Sequence, residues 1–288
     1  MKEFVVEKAN NNKGVVSLLR KEFPKLNQNT IFKALRNKDI RINDARIKED
    51  TIVHTGDRIK VFISDDLLFG RNSFFDINEK DVAYEDDNIL IYNKPIGVEV
   101  QGNAKEMGIE EALKDYYHFD YIKACHRLDR NTCGLVIFAK NEKSESVMLD
   151  AIKKHQVRKF YKAHVYGNVT NKENTLIAYL FKDSKKSTVI ISDSPKKGYS
   201  KIITKYKLLK KYKDGSSLLE VEIITGKTHQ IRAHLAHVGL PIIGDGKYGL
   251  NEINKAYSKK FQDLQSFKLI FEIEDEEFKY LNDLVIEV

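Results

Sequence analysis

ACHRLDRNTCGL, residues 124–135, sets His126, Arg127, Asp129 and Arg130 almost side by side and then enters the apolar run VIFA at 136–139. So dense a polar stretch, ending at branched and aromatic residues, reads as a loop feeding a buried strand. Asp129 stands between two arginines, and nearby positive charge favours the ionised form of a carboxylate. Spacing alone leaves two readings open. Asp129 is a solvated ion-pair partner, or it is a carboxylate held ready for chemistry.

The surroundings of this stretch supply a fold class. Candidate strands are NILIYNKP (88–95), GLVIFAK (134–140), KFYKAHVYG (159–167), STVIIS (187–192), KIITKYKLL (201–209) and SLLEVEII (217–224). Between them, NEKSESVMLDAIKKHQV has a helical period with Val147, Ala151 and Ile152 inward. THQIRAHLAHVG reads as a second helix, with Ile231, Leu235 and Val238 as its core stripe and Gly239 as a left-handed C-cap. Strands outnumber helices and many gaps are of hairpin length. The expected class is α+β, a mainly antiparallel mixed sheet with flanking helices over residues 81–288.

A separate small module is expected over residues 1–64, with DDLLFGRNSFFDINEK (65–80) as a linker. VVSLLRKEF carries Val15, Val16, Leu19 and Phe23 on one helical face, and Pro24 ends it. Asn29 is placed to cap a second helix, TIFKALRNK, with Ile31, Ala34 and Leu35 inside and Lys33, Arg36 and Lys38 outside. DIRIN and DRIKVFI then form a small hairpin, joined through a turn at His54–Asp57. Lys33, Arg36, Lys38 and Arg41 cluster into a phosphate-tracking surface.

Composition narrows the partners. The 288 residues are 42% hydrophobic and 32% charged, the balance of a folded chain. No apolar run approaches the ~20 residues a bilayer span needs. MKEFVVEKANNNKG lacks an apolar signal core, so a cytoplasmic location is expected. The two cysteines, Cys125 and Cys133, read as small buried residues and not as a redox pair. Net charge is +7, unevenly spread: residues 182–213 hold eleven lysines against Asp183 and Asp193, while Glu272–Val288 holds seven carboxylates against Lys279. A basic face points to a polyanion, nucleic acid first.

Three local motifs fail on context. GDGKYG (244–249) matches G-x-G-x-x-G, yet a proline stands where its strand should be, so it reads as a glycine-rich turn. His229 and His234 lie about 140° apart on a helix, and no acid completes a metal set with His237. HRLDRN lacks the asparagine that the kinase catalytic loop places five residues after its aspartate.

Taken in order, YEDDNILIYNKPIG, HRLDRNTCGLVIFAK, KFYKAHVYG and EVEIITGKTHQIRAHLAHVGLPIIGDGKYG resemble the RluA-type pseudouridine synthase family. Its motifs run close to KPxG, HRLDxxTSGL, KxYxAxVxG and TGRxHQIRxHL…GxPIxGDxxYG. The resemblance spans residues 82 to about 250. The front module, in LLRKEFPKLNQNTIFKALRNKDIRIN and TGDRIKVFI, resembles the small RNA-binding fold of ribosomal protein S-four. The resemblance implies an isomerase that detaches uracil from ribose, rotates it and rejoins it through carbon, with no cofactor or metal. It makes Asp129 the catalytic aspartate, nucleophilic toward a sugar carbon or a ring-derived intermediate. It makes Arg232 the basic residue that pairs with Asp129, and Tyr161 the ring that stacks on the base and handles its proton. Arg127 then fills the space the flipped uridine leaves.

The implied partner is structured RNA, ribosomal or transfer, bound by a monomer. The competing reading is an RNA-binding factor without catalysis. Cys133 replaces the serine of TSGL, Lys227 replaces the arginine of TGR, and VEVQG follows KPIG where the family commonly has Leu-x-Val-His-Pro. These departures bear on substrate preference.

Overall fold

The computed structural model describes residues 2–26, 28–63, 68, 77–103, 106–119 and 121–288, with the Asn29 side chain outside that description. The chain divides into two compact units, residues 1–74 and 75–288.

In the first unit, strands β1 (Lys2–Val5), β2 (Lys13–Gly14), β3 (Ile40–Ile42), β4 (Ala45–Arg46), β5 (Ile52–Val53) and β6 (Arg58–Val61) accompany helices Val15–Glu22 and Gln28–Asn37. The expected hairpin is part of a larger sheet, ordered β1-β6-β3-β4, while β2 pairs separately with β5. The turn at His54–Asp57 therefore joins β5 to β6, not the two expected strands to each other. Val15, Val16, Leu19, Ile31, Ala34 and Leu35 are buried as their periods require, with Leu18 beside them. The second helix begins at Gln28, so Asn29 lies inside its first turn and is not the cap.

The expected linker is only partly described, since 65–67 and 69–76 lie outside the described residues. Leu68 is buried in the core of the first unit. At the other end, Asn78 N–H donates to the Tyr92 hydroxyl at 3.3 Å, so 77–80 belong to the second unit.

The second unit is built on β7 (Val82–Glu85), β8 (Ile89–Lys94), β9 (Lys123–Ala124), β10 (Cys133–Ala139), β11 (Val157–Tyr166), β12 (Glu173–Asp183), β13 (Thr188–Ser192), β14 (Ser200–Lys211), β15 (Ser216–Ile223), β16 (Leu264–Phe271) and β17 (Val285–Glu287). The sheet runs β13-β12-β14-β15-β11-β16-β10-β8-β7, with β17 on β16 and β9 on β10. Every pairing among these strands is antiparallel except β10 with β16, so the sheet is mixed and mainly antiparallel, as expected. Helices Ile109–Tyr117, Glu142–Lys153 and Gln230–His237 flank it.

Each face of this sheet has its own core. On one side Tyr92, Phe138, Tyr161, Val221, Ile231 and Leu235 pack together. On the other, Ile91, Ile137, Met148, Ala151, Leu269 and Phe271 do so. The inward stripe of the Glu142–Lys153 helix centres on Met148 and Ala151, with Val147 and Ile152 only partly buried. Val238 does not join the core stripe: it follows the last turn of the Gln230–His237 helix and is 41% exposed.

Candidate active site

Asp129 lies on the loop between β9 and β10, and several groups fix that loop. Leu128 is buried in the core, and Thr132 N–H donates to the Asp129 carbonyl at 2.9 Å, closing a turn. The Arg130 carbonyl accepts from Gly97 N–H at 2.9 Å and from the Lys94 ammonium at 3.0 Å. Lys94, fully buried, also donates to the carbonyls of Pro95 and Val98, which gives the lysine of KPIG a structural task. Gly134 follows with φ 113°, and a Cβ there would sit 2.0 Å from the Ser266 carbonyl oxygen. Only glycine lets β10 approach β16 so closely.

Neither neighbouring arginine holds Asp129. Arg127 leans toward Glu99 at 3.6 Å, with its side chain 72% exposed. Arg130 donates to Glu106 at 2.8 Å and to the Gly97 carbonyl at 2.9 Å. The partner comes from 103 residues along the chain: Arg232 Nη1 donates to Asp129 Oδ2 at 2.7 Å. Asp129 is thus not the surface ion-pair partner of the arginines beside it in sequence.

Arg232 is itself buried, at 6% exposure, on the Gln230–His237 helix. Its remaining guanidinium edge is taken by Asp245, with Nε to Oδ2 at 2.7 Å and Nη2 to Oδ1 at 2.9 Å. Burial alone would raise the Asp245 carboxyl, but Arg232 and the backbone N–H groups of Lys247 and Tyr248 outweigh it and hold it below the usual carboxylate range. Asp245 comes from the GDGKYG turn, where Gly244 has φ 83° and a Cβ would lie 2.0 Å from the Phe261 carbonyl. The glycine-rich turn therefore serves to bring a carboxylate under Arg232.

His229 adopts the left-handed conformation at φ 52° just before the helix. Tyr248 hydroxyl accepts from Val189 N–H at 2.9 Å and lies 2.8 Å from His229 Nδ1. The Tyr248 hydroxyl thus bridges Val189 N–H and His229 Nδ1, while the other ring nitrogen, Nε2, faces Asp129 Oδ2 at 3.9 Å. Burial pushes this imidazole below its ordinary value, against the pull of Asp129. His234 and His237 turn elsewhere, to Thr204 at 3.0 Å and to Asp193 at 2.8 Å, so the three histidines do not converge.

Asp129, Arg232 and Tyr161 line one cleft of about 680 Å³, together with His126, Lys159 and Lys227. Tyr161 is 5% exposed on β11, and burial raises its phenol well above the usual range, with the Asp129 charge adding to the shift. It is a neutral phenol at neutral pH. Arg127 sits at the cleft wall, as does Glu99 from the unusual VEVQG segment. Of the other departures, Lys227 also lines the cleft, whereas Cys133 is half-buried with its Sγ 3.8 Å from the Leu264 carbonyl. In the first unit, Lys33, Arg36 and Lys38 are exposed. Arg41 is half-buried, with its guanidinium 4.6 Å from the Phe62 ring centre and its Nε without a hydrogen bond.

The RNA pseudouridylate synthase family model matches residues 88–237. The ribosomal large subunit pseudouridine synthase C of Rickettsia felis is 37% identical over 257 residues, covering 84% of this chain and 83% of its own length. An uncharacterized RNA pseudouridine synthase of Mycoplasma capricolum is 32% identical across 99% of this chain and 97% of its own. Among solved structures, human RNA pseudouridylate synthase domain containing 4 superposes with a TM-score of 0.59 at 20% identity, over 73% of this chain and 88% of that one, a likeness of fold. A matching family model over half the chain, relatives covering most of it, and an arginine-held aspartate in a deep cleft agree: the chain belongs to the RNA pseudouridylate synthase family and is an isomerase acting on RNA.

Proposed function

We propose that Asp129 performs the covalent step on a uridine flipped into the cleft. The observation that carries this is the 2.7 Å bond from Arg232 to Asp129 beside Tyr161. A carboxylate so held is aimed by the guanidinium, and it lines the cleft where the base would sit. Tyr161 stacks on the base, and as a neutral phenol it can take part in moving the proton of the ring through its hydroxyl. Arg127, exposed and loosely held, fills the stack that the uridine leaves. Isomerising one nucleoside moves no electrons in or out, so the reading requires no redox cofactor.

The substrate is structured RNA, and ribosomal RNA of the large subunit is the best supported class. That rests on the named activity of relatives 31–37% identical to this chain. We place the reaction in the cytoplasm, carried out by a monomer. Mapping pseudouridines in total RNA with and without this protein tests it. One or more large-subunit positions should lose the modification when the protein is absent. A change confined to transfer RNA would move the substrate, and no change at all would remove the proposal.

The first unit serves as an RNA-binding module through Lys33, Arg36, Lys38 and Arg41. Replacing Lys33, Arg36 and Lys38 by glutamine should weaken RNA binding and flatten its salt dependence, by ~0.7–0.9 per lost phosphate contact in the log–log slope. The single-turnover rate at saturating RNA should hold. An unchanged slope in a salt titration would mean that this surface meets something other than the RNA backbone.

A further inference from the structure

One buried cation in the cleft has no task in the reading above. Lys159 stands two residues before Tyr161 on β11, so the pleat turns both side chains to the cleft face. Lys159 is 8% exposed, and among the described residues its ammonium has neither an acidic partner nor a hydrogen bond. Lys94 shows what this fold does with a buried structural lysine: three carbonyls surround that ammonium at 2.7–3.0 Å. Nothing comparable meets Lys159. Burial, with the Lys159 charge adding to it, pushes His126 down to about 3, which leaves a neutral imidazole in the same cleft. Burial alone lowers the Lys159 ammonium to about 8. A buried cation left unpaired is costly unless a bound group supplies what the protein does not.

Position separates two kinds of bound group. Lys182, Lys227, Lys247 and Lys260 also line the cleft and all are exposed, where hydrated phosphates of an RNA chain can reach them. Lys159 offers only a narrow window, on the same face as the ring proposed to stack on the base. A flat base edge fits such a window better than a phosphodiester tied into its backbone.

We propose that the Lys159 ammonium donates to a carbonyl oxygen of the target uracil and stabilises the negative charge that the ring acquires during the reaction. This rests on Asp129 being the catalytic carboxylate. When the C1′–N1 bond breaks, its electron pair stays with N1 and spreads over the O2 and O4 carbonyls. If Asp129 instead adds to the ring, the displaced pair again reaches a carbonyl oxygen. In the first route Asp129 bonds to C1′ as N1 departs. C5 then supplies the pair for the C5–C1′ bond, while the Asp129–C1′ bond breaks and returns its pair to the carboxylate. In the second the C1′–N1 bond breaks after the addition, C5 bonds to C1′, and the Asp129–ring bond breaks back to the carboxylate. In both, the C5 proton leaves and N1 gains a proton. A fixed cation at the oxygen acts on the charged species far more than on the neutral base, which is the condition for lowering a barrier.

The test uses the full-length protein and a large-subunit ribosomal RNA transcript carrying tritium at uridine C5, the hydrogen that isomerisation releases. Lys159→Met and Lys159→Gln are compared with wild type in single-turnover tritium release, RNA affinity and melting temperature. Lys159→Met should react ~100-fold or more slowly, the usual loss for one oxyanion donor. Its affinity should stay within about threefold and its melting temperature should hold or rise, because a buried unpaired charge is replaced by an apolar chain of similar shape. Lys159→Gln keeps an N–H donor without the charge and should fall between. Lost affinity with an unchanged rate would make Lys159 a phosphate contact and overturn the proposal. So would unchanged rates, or a melting temperature lowered in both variants. Wild type and Asp129→Asn run in the same series report on the parent reading separately, so the two failures look different.

Discussion

Asp129→Asn should abolish pseudouridine formation while leaving the fold and RNA affinity in place. Asparagine keeps the shape and one carbonyl acceptor for Arg232 Nη1, but it loses the charge and the nucleophilic oxygen. Loss of a residue that bonds to the reacting atoms costs on the order of 10⁴-fold or more in rate. The structural cost is small by comparison. Arg232 retains both contacts to Asp245, so only one charge-assisted bond is weakened, about 1–2 kcal/mol. On the proposed reading, affinity is set by exposed lysines and arginines that the change does not touch. Mass spectrometry of the transcript after long incubation reads the result. Product above background in Asp129→Asn would remove Asp129 from the chemistry, and lost binding would recast it as an RNA contact.

Much of the second unit was legible because its strands carry strong local signals. NILIYNKP, GLVIFAK and KFYKAHVYG are apolar or alternating runs bounded by breakers, and they appear as β8, β10 and β11 within two residues. β12 escaped notice because Ile177 and Phe181 are exposed while Leu176, Ala178 and Leu180 are buried, so apolar residues on both faces hide the period of two. β16 follows a lysine-rich stretch, and its importance comes from lying between β11 and β10, a long-range pairing that no local window carries. The Ile109–Tyr117 helix hides its inner face behind Glu110, which is 4% exposed and accepts from Ala124 N–H and Gln101 Nε2.

The site divides in the same way. Residue types and ordered motifs pointed to Asp129, Tyr161 and Arg232, and all three line one cleft. The geometry between them was not readable. Local spacing offered Arg127 and Arg130 as partners for Asp129, and a contact made across 103 residues displaced both. Asp245, His229 and Tyr248 were passed over because each was weighed only against a nucleotide loop or a metal set. The signal was present in the quoted patterns, where THQIR and GDxxYG hold those positions beside Arg232.

Arg232→Lys should slow the chemical step by ~100-fold, the loss expected when a reacting group is misplaced by about an ångström. Arginine here performs two tasks with one planar group: Nε and Nη2 grip Asp245 while Nη1 reaches Asp129. Lysine has a single nitrogen and no fork. Asp245 is fully buried and Asp129 is 27% exposed, so the ammonium will stay with the carboxylate that has no water to fall back on. Asp129 is then left unaimed, which predicts a lost rate with nearly intact RNA affinity. Neutralising Lys210 and Lys211, both exposed on β14, should do the reverse. Asp245→Asn isolates the other half of the fork. Removing one partner of a buried ion pair costs ~3–5 kcal/mol, so this variant should melt earlier as well as react slowly. The stability gap between it and wild type should be full at neutral pH. Because the folded-state carboxyl of Asp245 is depressed, the gap should close as pH falls below about 4, the range of an unperturbed aspartate, and through the lower folded value. Denaturant melts across pH, alongside single-turnover rates, give both readings. If Arg232→Lys loses affinity and keeps its rate, Arg232 is one more phosphate contact and its bond to Asp129 is not part of the chemistry.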